Sequence, residues 1–376
     1  MDRIFTVKQI LEKSWEWNLN KNAVFIDLAK AFDCVPRRKL WEALQCREYE
    51  IPTNLIRAIR SIYKKCESKV KLRDQDTEWF TIKTGVRQGG VISPLLFIIF
   101  MDRCMKEINE NNDWKTFAYA DDVAVICDTE QGLQDAVNRW NVVMNECGMK
   151  INVNKTEVMN ISREKKQLDI NIGNEQLKQV TNFEYLGVKM DEENRQELEI
   201  NNRTSKYNQN LSALYPLIKD KNIPTKCKVI IYSTILRPIL TYGSESWSLT
   251  TKSKSRIGAA EMKVLRCIKG VTRRDRIKNK QIREELGIDD IIEIIERNKL
   301  RWYGHVRRMS QERLPRQALE WTPNTRRPIG RPRKRWIDGV GEALERRGQN
   351  LSEIEEEERY LNREEWKRIT MMRPPD

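Results

Sequence analysis

Three aspartates at the ends of short apolar runs are the residues whose types and spacing could do chemistry. Asp121 and Asp122 lie at the bend of residues 117–126, where Phe-Ala-Tyr-Ala and Val-Ala-Val-Ile predict two strands joined by a turn. Asp27 ends the run Ala-Val-Phe-Ile at 23–26, which predicts a buried strand. Three carboxylates at the ends of two such strands can hold a pair of Mg²⁺ ions, with Mn²⁺ as an alternative. A metal pair of this kind brings a nucleoside triphosphate and a hydroxyl nucleophile together.

The Asp-Asp pair carries little weight alone, because aspartate is common in solvated turns. The amino-acid composition adds further evidence about the class of protein. The 376 residues allow two or three domains, and a net charge of +14 favours a polyanionic partner such as nucleic acid, with a membrane surface as the competing interpretation. The longest apolar run, 91–101, is about half the length of a membrane span. We expect an intracellular protein, nuclear or cytoplasmic, without membrane insertion or secretion.

Cysteine and histidine usage argues against two other classes of site. Eight cysteines are scattered without a Cys-x-x-Cys pair, and His305 is the single histidine. A zinc site of ordinary spacing is therefore not expected. The cysteines are expected to be reduced thiols. A Ser-His-Asp triad would have to use His305, which lies in an arginine-rich segment.

The elements that must position the aspartates follow from hydrophobic periodicity. A helix is predicted over 3–17, and Pro36 and Pro52 each precede another. An amphipathic helix is predicted over 133–147 and an extended segment over 151–161, with Lys155 in its middle. Another short strand is predicted at 183–188. Residues 1–190 therefore predict an α+β domain with antiparallel strands.

A glycine-rich segment precedes one of the predicted helices. Residues 85–94 read Gly-Val-Arg-Gln-Gly-Gly-Val-Ile-Ser-Pro, in which glycines allow close approach of the backbone to a bulky group. Ser93 and Pro94 are typical of a helix start. A glycine-rich turn that merely enters a core helix is the competing interpretation.

Strand signals nearly vanish after residue 195. Helices are predicted over 207–218, 226–236 and 257–268. Segment 299–335 then holds 12 Lys or Arg against two acids. We predict an α+β region at 1–192, a helical region at 193–270, and a basic helical region that binds nucleic acid at 271–376.

Five segments in chain order resemble the successive motifs of reverse transcriptases. The motifs resemble those of non-LTR (LINE-type) retrotransposons rather than retroviruses, and 301–306 and 330–332 resemble the tail of such elements. The five segments are 25–33 (Phe-Ile-Asp-Leu-Ala-Lys-Ala-Phe-Asp), 85–97 with its Gln-Gly and Ser-Pro-Leu-Leu-Phe, 119–122 (Tyr-Ala-Asp-Asp), 154–156 (Asn-Lys-Thr) and 183–187 (Phe-Glu-Tyr-Leu-Gly).

The resemblance implies an RNA-directed DNA polymerase that uses two metal ions, with a polymerase palm and partial fingers at 1–192 and a thumb-like region at 193–270. Asp27 and Asp121 would bind both ions, and Asp122 would support the site or bind one of them. Phe32 would lie under the sugar of the incoming dNTP and exclude a 2′-hydroxyl; a core aromatic is its alternative. Lys155 would donate a proton to the departing pyrophosphate, although exposed lysines are commonly just solvated. The resemblance also implies that Leu28, Gln88, Gly89 and Tyr119 border the nucleotide.

Two further groups of residues are implied to contact nucleic acid. Phe183, Tyr185, Leu186 and Gly187 would form the hairpin that positions the primer end, with plain packing as the alternative for Tyr185. The basic segment would bind template RNA or target DNA, with Trp302, Tyr303, Trp321 and Trp336 as stacking faces. A solvated linker with a few buried tryptophans is the alternative, and 326–335 also fits a nuclear-localisation signal. The basic candidates are Arg301, Trp302, Arg307, Arg308, Arg331, Arg333, Lys334 and Arg335.

The chain departs from the family in length. Only 26 residues precede Asp27, where family members carry fingers and usually an endonuclease domain. We therefore expect an N-terminally truncated element. Two hypotheses remain: a reverse transcriptase with an intact palm site, or an inactive relic whose basic C-terminal half binds nucleic acid. The oligomeric state is left open.

Overall fold

The computed structural model describes residues 1–71, 76–109, 115–330 and 333–372. The chain forms two compact units. The sheet unit is Asn20–Phe183, and the helical unit is Met1–Leu19 together with Glu184–Asp376.

The elements of the described residues follow in chain order. The α-helices are α1 (Asp2–Glu16), α2 (Ala31–Cys34), α3 (Arg37–Leu44), α4 (Thr53–Ile62), α5 (Ser93–Asn109), α6 (Glu130–Glu146), α7 (Gln196–Lys219), α8 (Thr225–Ile231), α9 (Arg237–Thr241), α10 (Thr251–Lys269), α11 (Asn279–Leu286), α12 (Ile291–Arg307), α13 (Leu314–Glu320), α14 (Trp336–Glu345), α15 (Leu351–Glu356) and α16 (Arg363–Met371). The strands are β1 (Lys21–Ile26), β2 (Glu67–Ser68), β3 (Phe80–Thr81), β4 (Lys115–Tyr119), β5 (Asp122–Cys127), β6 (Glu157–Ile161), β7 (Asn171–Ile172), β8 (Glu175–Gln176), β9 (Lys178–Gln179), β10 (Asn182–Tyr185) and β11 (Val188–Asp191).

The sheet unit is built on a five-stranded sheet in the order β4-β5-β1-β6-β9. β1 pairs antiparallel with β5 on one side and with β6 on the other, while β9 runs parallel to β6. β1 is therefore an inner strand, and its apolar run is buried on both faces, as continuous rather than alternating hydrophobicity predicts.

One face of this sheet packs against helices. α6 contacts both β1 and β5, and α5 contacts α6. Val24 and Ile26 of β1 join Val123 and Val125 of β5 in the core, together with Trp140 of α6. The alternation of side chains then places the residues between them on the opposite face.

Two apolar clusters lie among the described residues of the helical unit. One joins the helices between residues 200 and 295. The other joins α1 to the C-terminal helices, where the ring of Phe5 meets Trp336 edge-on at 4.7 Å and Trp302 at 5.7 Å. A helix from the start of the chain therefore belongs to the same core as helices more than 290 residues later.

The predicted α+β class is confirmed, with antiparallel strands, packed helices and a mostly helical C-terminal half. The division at 1–192, 193–270 and 271–376 stays a prediction. The extended segment predicted over 151–161 is instead an isolated bridge at Ile151, a turn at 153–155 and then β6. The single strand predicted at 183–188 is two strands, β10 and β11, joined by a turn. No helix among the residues described is long and apolar enough to cross a membrane.

Candidate active site

Asp27 directly follows β1 and is fixed there through its backbone. Its carbonyl oxygen accepts from the Asn152 N–H at 2.8 Å, and its N–H donates to Thr156 Oγ1 at 3.3 Å. Both partners lie in the connection from α6 to β6, and Thr156 is fully buried. Segment 151–156 therefore holds the chain at the point where Asp27 leaves the sheet. Asp27 is half-buried.

Asp121 and Asp122 lie in the tight hairpin between β4 and β5, as predicted. Tyr119 pairs with Asp122 in the antiparallel register, so Ala120 and Asp121 form the turn. Ala120 has φ +53°, a left-handed conformation that costs a residue with a Cβ roughly 1–2 kcal/mol. Backbone strain of this kind is concentrated at functional sites, where the surrounding fold sustains it.

The register brings the three aspartates to one end of neighbouring strands. Ile26 of β1 pairs with Val123 of β5, so the next step along both strands places Asp27 across from Asp122 on the same face. The pKa of Asp122 is raised because burial disfavours its charged form and because the carboxylates of Asp121 and Asp27 repel it. Asp122 therefore interacts electrostatically with both of the other carboxylates.

Their chemistry suits a divalent cation, but they do not form a finished coordination site. Carboxylate oxygens are the ligands that Mg²⁺ prefers, and mutual repulsion is what a cation would relieve. Within the described ranges, no three His, Cys, Asp or Glu side chains converge closely enough to hold a metal ion. The residues fit a metal ion in type and lie at the same end of neighbouring strands, but their side chains would have to draw together to share one.

The segment after Asp27 is tied to the glycine-rich segment that precedes α5. The Val86 N–H donates to the Phe32 carbonyl at 2.9 Å, and the Gly85 N–H donates to the Val35 carbonyl at 2.8 Å. The ring of Phe32 stacks on Phe97 of α5, with centroids 4.4 Å apart and planes 20° from parallel. Phe32 is half-buried.

Gly85 is required by this close approach. Its φ is +79°, and a Cβ built on it would stand 2.6 Å from the Asp33 carbonyl oxygen. A few residues on, the Gln88 amide nitrogen donates to the Asp33 carboxylate at 2.9 Å. Gln88 and Gly89 are both exposed, as a surface that receives a ligand must be.

Arg37 was missed by sequence reasoning. Its guanidinium donates to the carbonyls of Ile82 at 2.8 Å and Gly85 at 3.1 Å, and more weakly to two others nearby. It also lies over the ring of Tyr63, 5.1 Å from the centroid. Arg37 thus fixes the path of the chain into the glycine-rich segment. An arginine at the start of a helix gives no sign in the sequence that its partners lie 26 to 48 residues away.

Three other predicted residues differ in accessibility. The side chain of Leu28 is 5% exposed and belongs to the core, so it offers only its backbone to a ligand. Tyr119 is 65% exposed beside the Asp-Asp turn. Lys155 is exposed on the turn that precedes β6.

The predicted primer-grip residues occupy the β10–β11 hairpin. Within the sheet unit, Phe183 stacks on Phe25 of β1 with centroids 4.0 Å apart and planes 8° from parallel. Leu186 and Gly187 form the turn with φ of +48° and +74°. Tyr185 is buried, which agrees with its packing alternative.

The turn of this hairpin is fixed within the helical unit. The Tyr242 hydroxyl donates to the Leu186 carbonyl at 2.9 Å, and the Arg203 guanidinium donates to the Gly187 carbonyl. Neither partner was predicted from the sequence.

The basic candidates of the C-terminal region are largely engaged inside the fold. Arg301 is exposed, whereas Trp302 is 9% exposed in the α12 core, and Tyr303 and Trp336 are fully buried. This burial fits the alternative of buried tryptophans and does not offer these three rings for stacking. Arg331 lies outside the described residues. The other basic candidates make internal contacts: Arg307 with Glu320 and Tyr360, Arg308 with the Tyr360 carbonyl, Arg333 with Glu193, Lys334 with Glu342, and Arg335 with Asp338.

Comparison with known proteins identifies the family. Residues 3–190 match the family model "Reverse transcriptase (RNA-dependent DNA polymerase)". The chain belongs to the reverse transcriptase family. The matched range contains all five sequence motifs, and the predicted resemblance to non-LTR retrotransposon enzymes is confirmed.

The related proteins are mobile-element products. This chain is 27% identical over 181 residues to the Pol polyprotein of the type-1 retrotransposable element R2 of Nasonia vitripennis, covering 43% of this chain and 18% of that protein. It is 25% identical over 262 residues to the RNA-directed DNA polymerase of the mobile element jockey of Drosophila melanogaster, covering 65% and 28%. The reverse transcriptase chain thus spans less than a third of these two relatives.

Solved structures give a weaker likeness. Telomerase from Candida tropicalis in complex with a fragment of telomeric RNA aligns over 80% of this chain and 45% of that one, at 14% identity and a TM-score of 0.40. A TM-score below 0.5 does not establish a shared fold.

Proposed function

We propose that this chain is an RNA-directed DNA polymerase that adds a dNTP to the 3′-hydroxyl of a DNA primer on an RNA template. One observation carries the proposal: Asp27, Asp121 and Asp122 lie at the same end of β1 and β5, and Asp122 interacts electrostatically with the other two. In the same unit, the Phe32 and Gln88 segments are tied to each other by backbone hydrogen bonds. Family membership supports the assignment of this site to nucleotidyl transfer.

The proposed reaction is a displacement at phosphorus. The primer 3′-oxygen bonds to the α-phosphorus of the dNTP, the bond to pyrophosphate breaks, and the hydroxyl proton is released. Asp27 and Asp121 would hold both Mg²⁺ ions and Asp122 would support them. When bound, such ions lower the pKa of the hydroxyl and neutralise charge on the triphosphate, and Mn²⁺ can replace Mg²⁺.

Residues around the carboxylates are assigned to binding of the incoming nucleotide. Phe32 is held against Phe97, so its accessible face forms a fixed wall that excludes a 2′-hydroxyl. Gln88, Gly89, Tyr119 and the Leu28 backbone border the nucleotide. Lys155 lies on an exposed turn, where its flexible ammonium can reach the departing pyrophosphate and donate a proton.

The nucleic-acid partners follow from charge. The net charge of +14 attracts an RNA template and a DNA primer or target. Of the basic candidates, Arg301 is exposed and Arg333 keeps 54% of its side chain accessible while contacting Glu193. The β10–β11 hairpin, with Phe183, Leu186 and Gly187, is assigned to the primer end.

Primer extension on an RNA template tests the proposal, first with Mg²⁺ and then with Mn²⁺. Asp121→Asn should abolish extension while the protein stays folded. Asp128→Asn is the matched control, because Asp128 follows the other end of β5 and pairs with Lys21 at the surface. Equal activity in wild type and Asp121→Asn would refute the metal assignment. A folded wild-type chain that binds RNA without extending the primer would instead be an inactive, basic nucleic-acid-binding protein.

A further inference from the structure

The hydrogen bond between Gln88 and Asp33 fixes which end of an exposed amide faces outward. Gln88 Nε2 lies 2.9 Å from Asp33 Oδ1. An ionised carboxylate has no proton to donate, so only the NH₂ end of the amide can face it. The Gln88 carbonyl oxygen, Oε1, must therefore point away from Asp33. The carboxylate selects one of two amide orientations that differ little in shape.

The backbones that carry this pair are held in register by neighbouring contacts. Phe32 and Val86 are joined by a hydrogen bond of 2.9 Å on one side of the pair. On the other side, Ser93 Oγ donates to the Arg87 carbonyl at 2.6 Å at the start of α5. Gln88 lies between these two contacts in the chain. Its backbone is therefore held at a constant position relative to Asp33.

The pair contributes little to folding. Asp33 and Gln88 are both exposed, and water competes for both partners of a surface hydrogen bond. Their position instead matters for ligands. Asp33 directly follows Phe32, and Gln88 directly precedes the open backbone of Gly89, where no atom lies within 4 Å of a built Cβ.

We propose that Asp33 is a positioning residue for the incoming nucleotide. It holds the Gln88 amide so that Oε1 is presented as a hydrogen-bond acceptor to a donor group of the nucleotide, a hydroxyl or an amino group. A reversed amide would present its NH₂ there and meet the same donor with repulsion. This inference rests on the proposed polymerase function, since it gives Gln88 a nucleotide to contact.

Asp33→Asn is the decisive variant because it keeps the size of the side chain and removes its charge. An asparagine can donate as well as accept, so both orientations of the Gln88 amide become available. In primer extension we expect the KM for dNTP to rise by about 3–10-fold while kcat changes less than about 2-fold. Asp33→Glu, which keeps the carboxylate, should lose less affinity than Asp33→Asn.

A double-variant cycle separates positioning from a structural effect. If Asp33 acts through Gln88, then adding Asp33→Asn to Gln88→Ala should leave the KM for dNTP where Gln88→Ala alone puts it. Independent, additive increases would overturn the inference, as would an unchanged KM in Asp33→Asn.

Two readouts keep this test apart from the test of polymerase activity. The side-chain amide signals of Gln88 in ¹⁵N NMR, assigned with Gln88→Ala, should shift in Asp33→Asn without any ligand; unchanged signals would overturn the pair itself. Equilibrium binding of dNTP to the complex with template and primer, in Ca²⁺, replaces KM if the chain does not extend. Weaker dNTP binding by Asp33→Asn would then support the inference although the proposed turnover had failed, and equal or absent binding would overturn it.

Discussion

Thr156 fixes the backbone of Asp27 from a segment far away in sequence, the connection between α6 and β6. The buried Thr156 hydroxyl oxygen accepts the Asp27 N–H at 3.3 Å, across 129 residues of chain. The Asp27 carbonyl is fixed by the Asn152 N–H from the same segment. The Asn-Lys-Thr motif at 154–156 therefore supports the first aspartate through its threonine, independently of any role for its lysine.

Thr156→Val should weaken both the fold and the site. Valine keeps the branched shape but cannot accept a hydrogen bond, so the Asp27 N–H loses its partner at a cost of about 1–3 kcal/mol. We expect the free energy of unfolding measured in urea to fall by this amount, and primer extension to be reduced. Thr156→Ser is the control, since it retains the acceptor. If valine and serine behave alike in extension, Thr156 does not position Asp27.

The raised pKa of Asp122 gives the site a pH dependence with a definite sign. In the folded state Asp122 keeps its proton to higher pH than the ordinary value of 3.8, so folding stability falls as pH rises from 3.8 through the raised value. Asp121→Asn removes one of the charges that raise it. The pKa of Asp122, followed by ¹³C NMR of its carboxyl, should move down in this variant. A pKa that stays in place would mean that Asp121 does not contribute, which leaves burial and Asp27 as the causes.

Local sequence patterns predict the two strands that carry the aspartates. Four consecutive apolar residues before Asp27 predict a strand buried on both faces, and the Tyr-Ala-Asp-Asp turn is short enough to fix its own hairpin. Both features depend on residues close in sequence. The resemblance to reverse transcriptase motifs then predicts that the turns carrying Asp27 and Asp121 belong to the same site.

Contacts between distant segments are not predicted in this way. Phe5 lies on the apolar face of a helix that was correctly predicted, but nothing in its spacing indicates that Trp336 is its partner. Burial of apolar area is non-directional, so many pairings of faces satisfy the same pattern. The same holds for Arg307, which pairs with Glu320 instead of remaining available to a phosphate.

Gly85 and Gly89 form a matched pair for testing the close approach of the two segments. Both have positive φ, +79° and +77°, but only Gly85 would bring a Cβ against backbone, at 2.6 Å from the Asp33 carbonyl. Gly89→Ala should cost only the conformational strain of about 1 kcal/mol. Gly85→Ala should cost roughly 2–4 kcal/mol, because the clash adds to that strain. Equal losses of unfolding free energy in the two variants would show that Gly85 and the Asp33 backbone are farther apart than the distance of 2.6 Å from a built Cβ implies.

Phe32→Val should relax sugar selection. Valine is shorter than phenylalanine and leaves room for a 2′-hydroxyl, so the efficiency ratio of dNTP to rNTP should fall by about 10-fold or more. Phe32→Tyr keeps the ring against Phe97 and should change the ratio by less than about 3-fold. Single-nucleotide extension with matched dNTP and rNTP measures both. A ratio that valine leaves unchanged would return Phe32 to a packing role.

Lys299 is a charged residue inside the helical unit. It is 3% exposed on α12, and its pKa is lowered to about 7, chiefly because burial disfavours the ammonium. Repulsion from Lys334 and Lys254 adds to this effect, while Glu12 and Glu342 oppose it. Although Lys299 begins the basic segment, its ammonium is buried and is not available to contact nucleic acid.

Lys299→Met should therefore stabilise the protein, and by an amount that depends on pH. With a folded pKa near 7 and an ordinary value of 10.5, the unfolded chain binds more protons between these pH values, so wild-type stability rises with pH across that window. At and below pH 7 wild type bears the full cost of a buried charge. Methionine removes that cost and should gain about 2–4 kcal/mol there. Urea unfolding at pH 6.5 and 9.5 measures the difference, which should shrink at the higher pH. A gain that is the same at both pH values would mean that Lys299 does not titrate in this range.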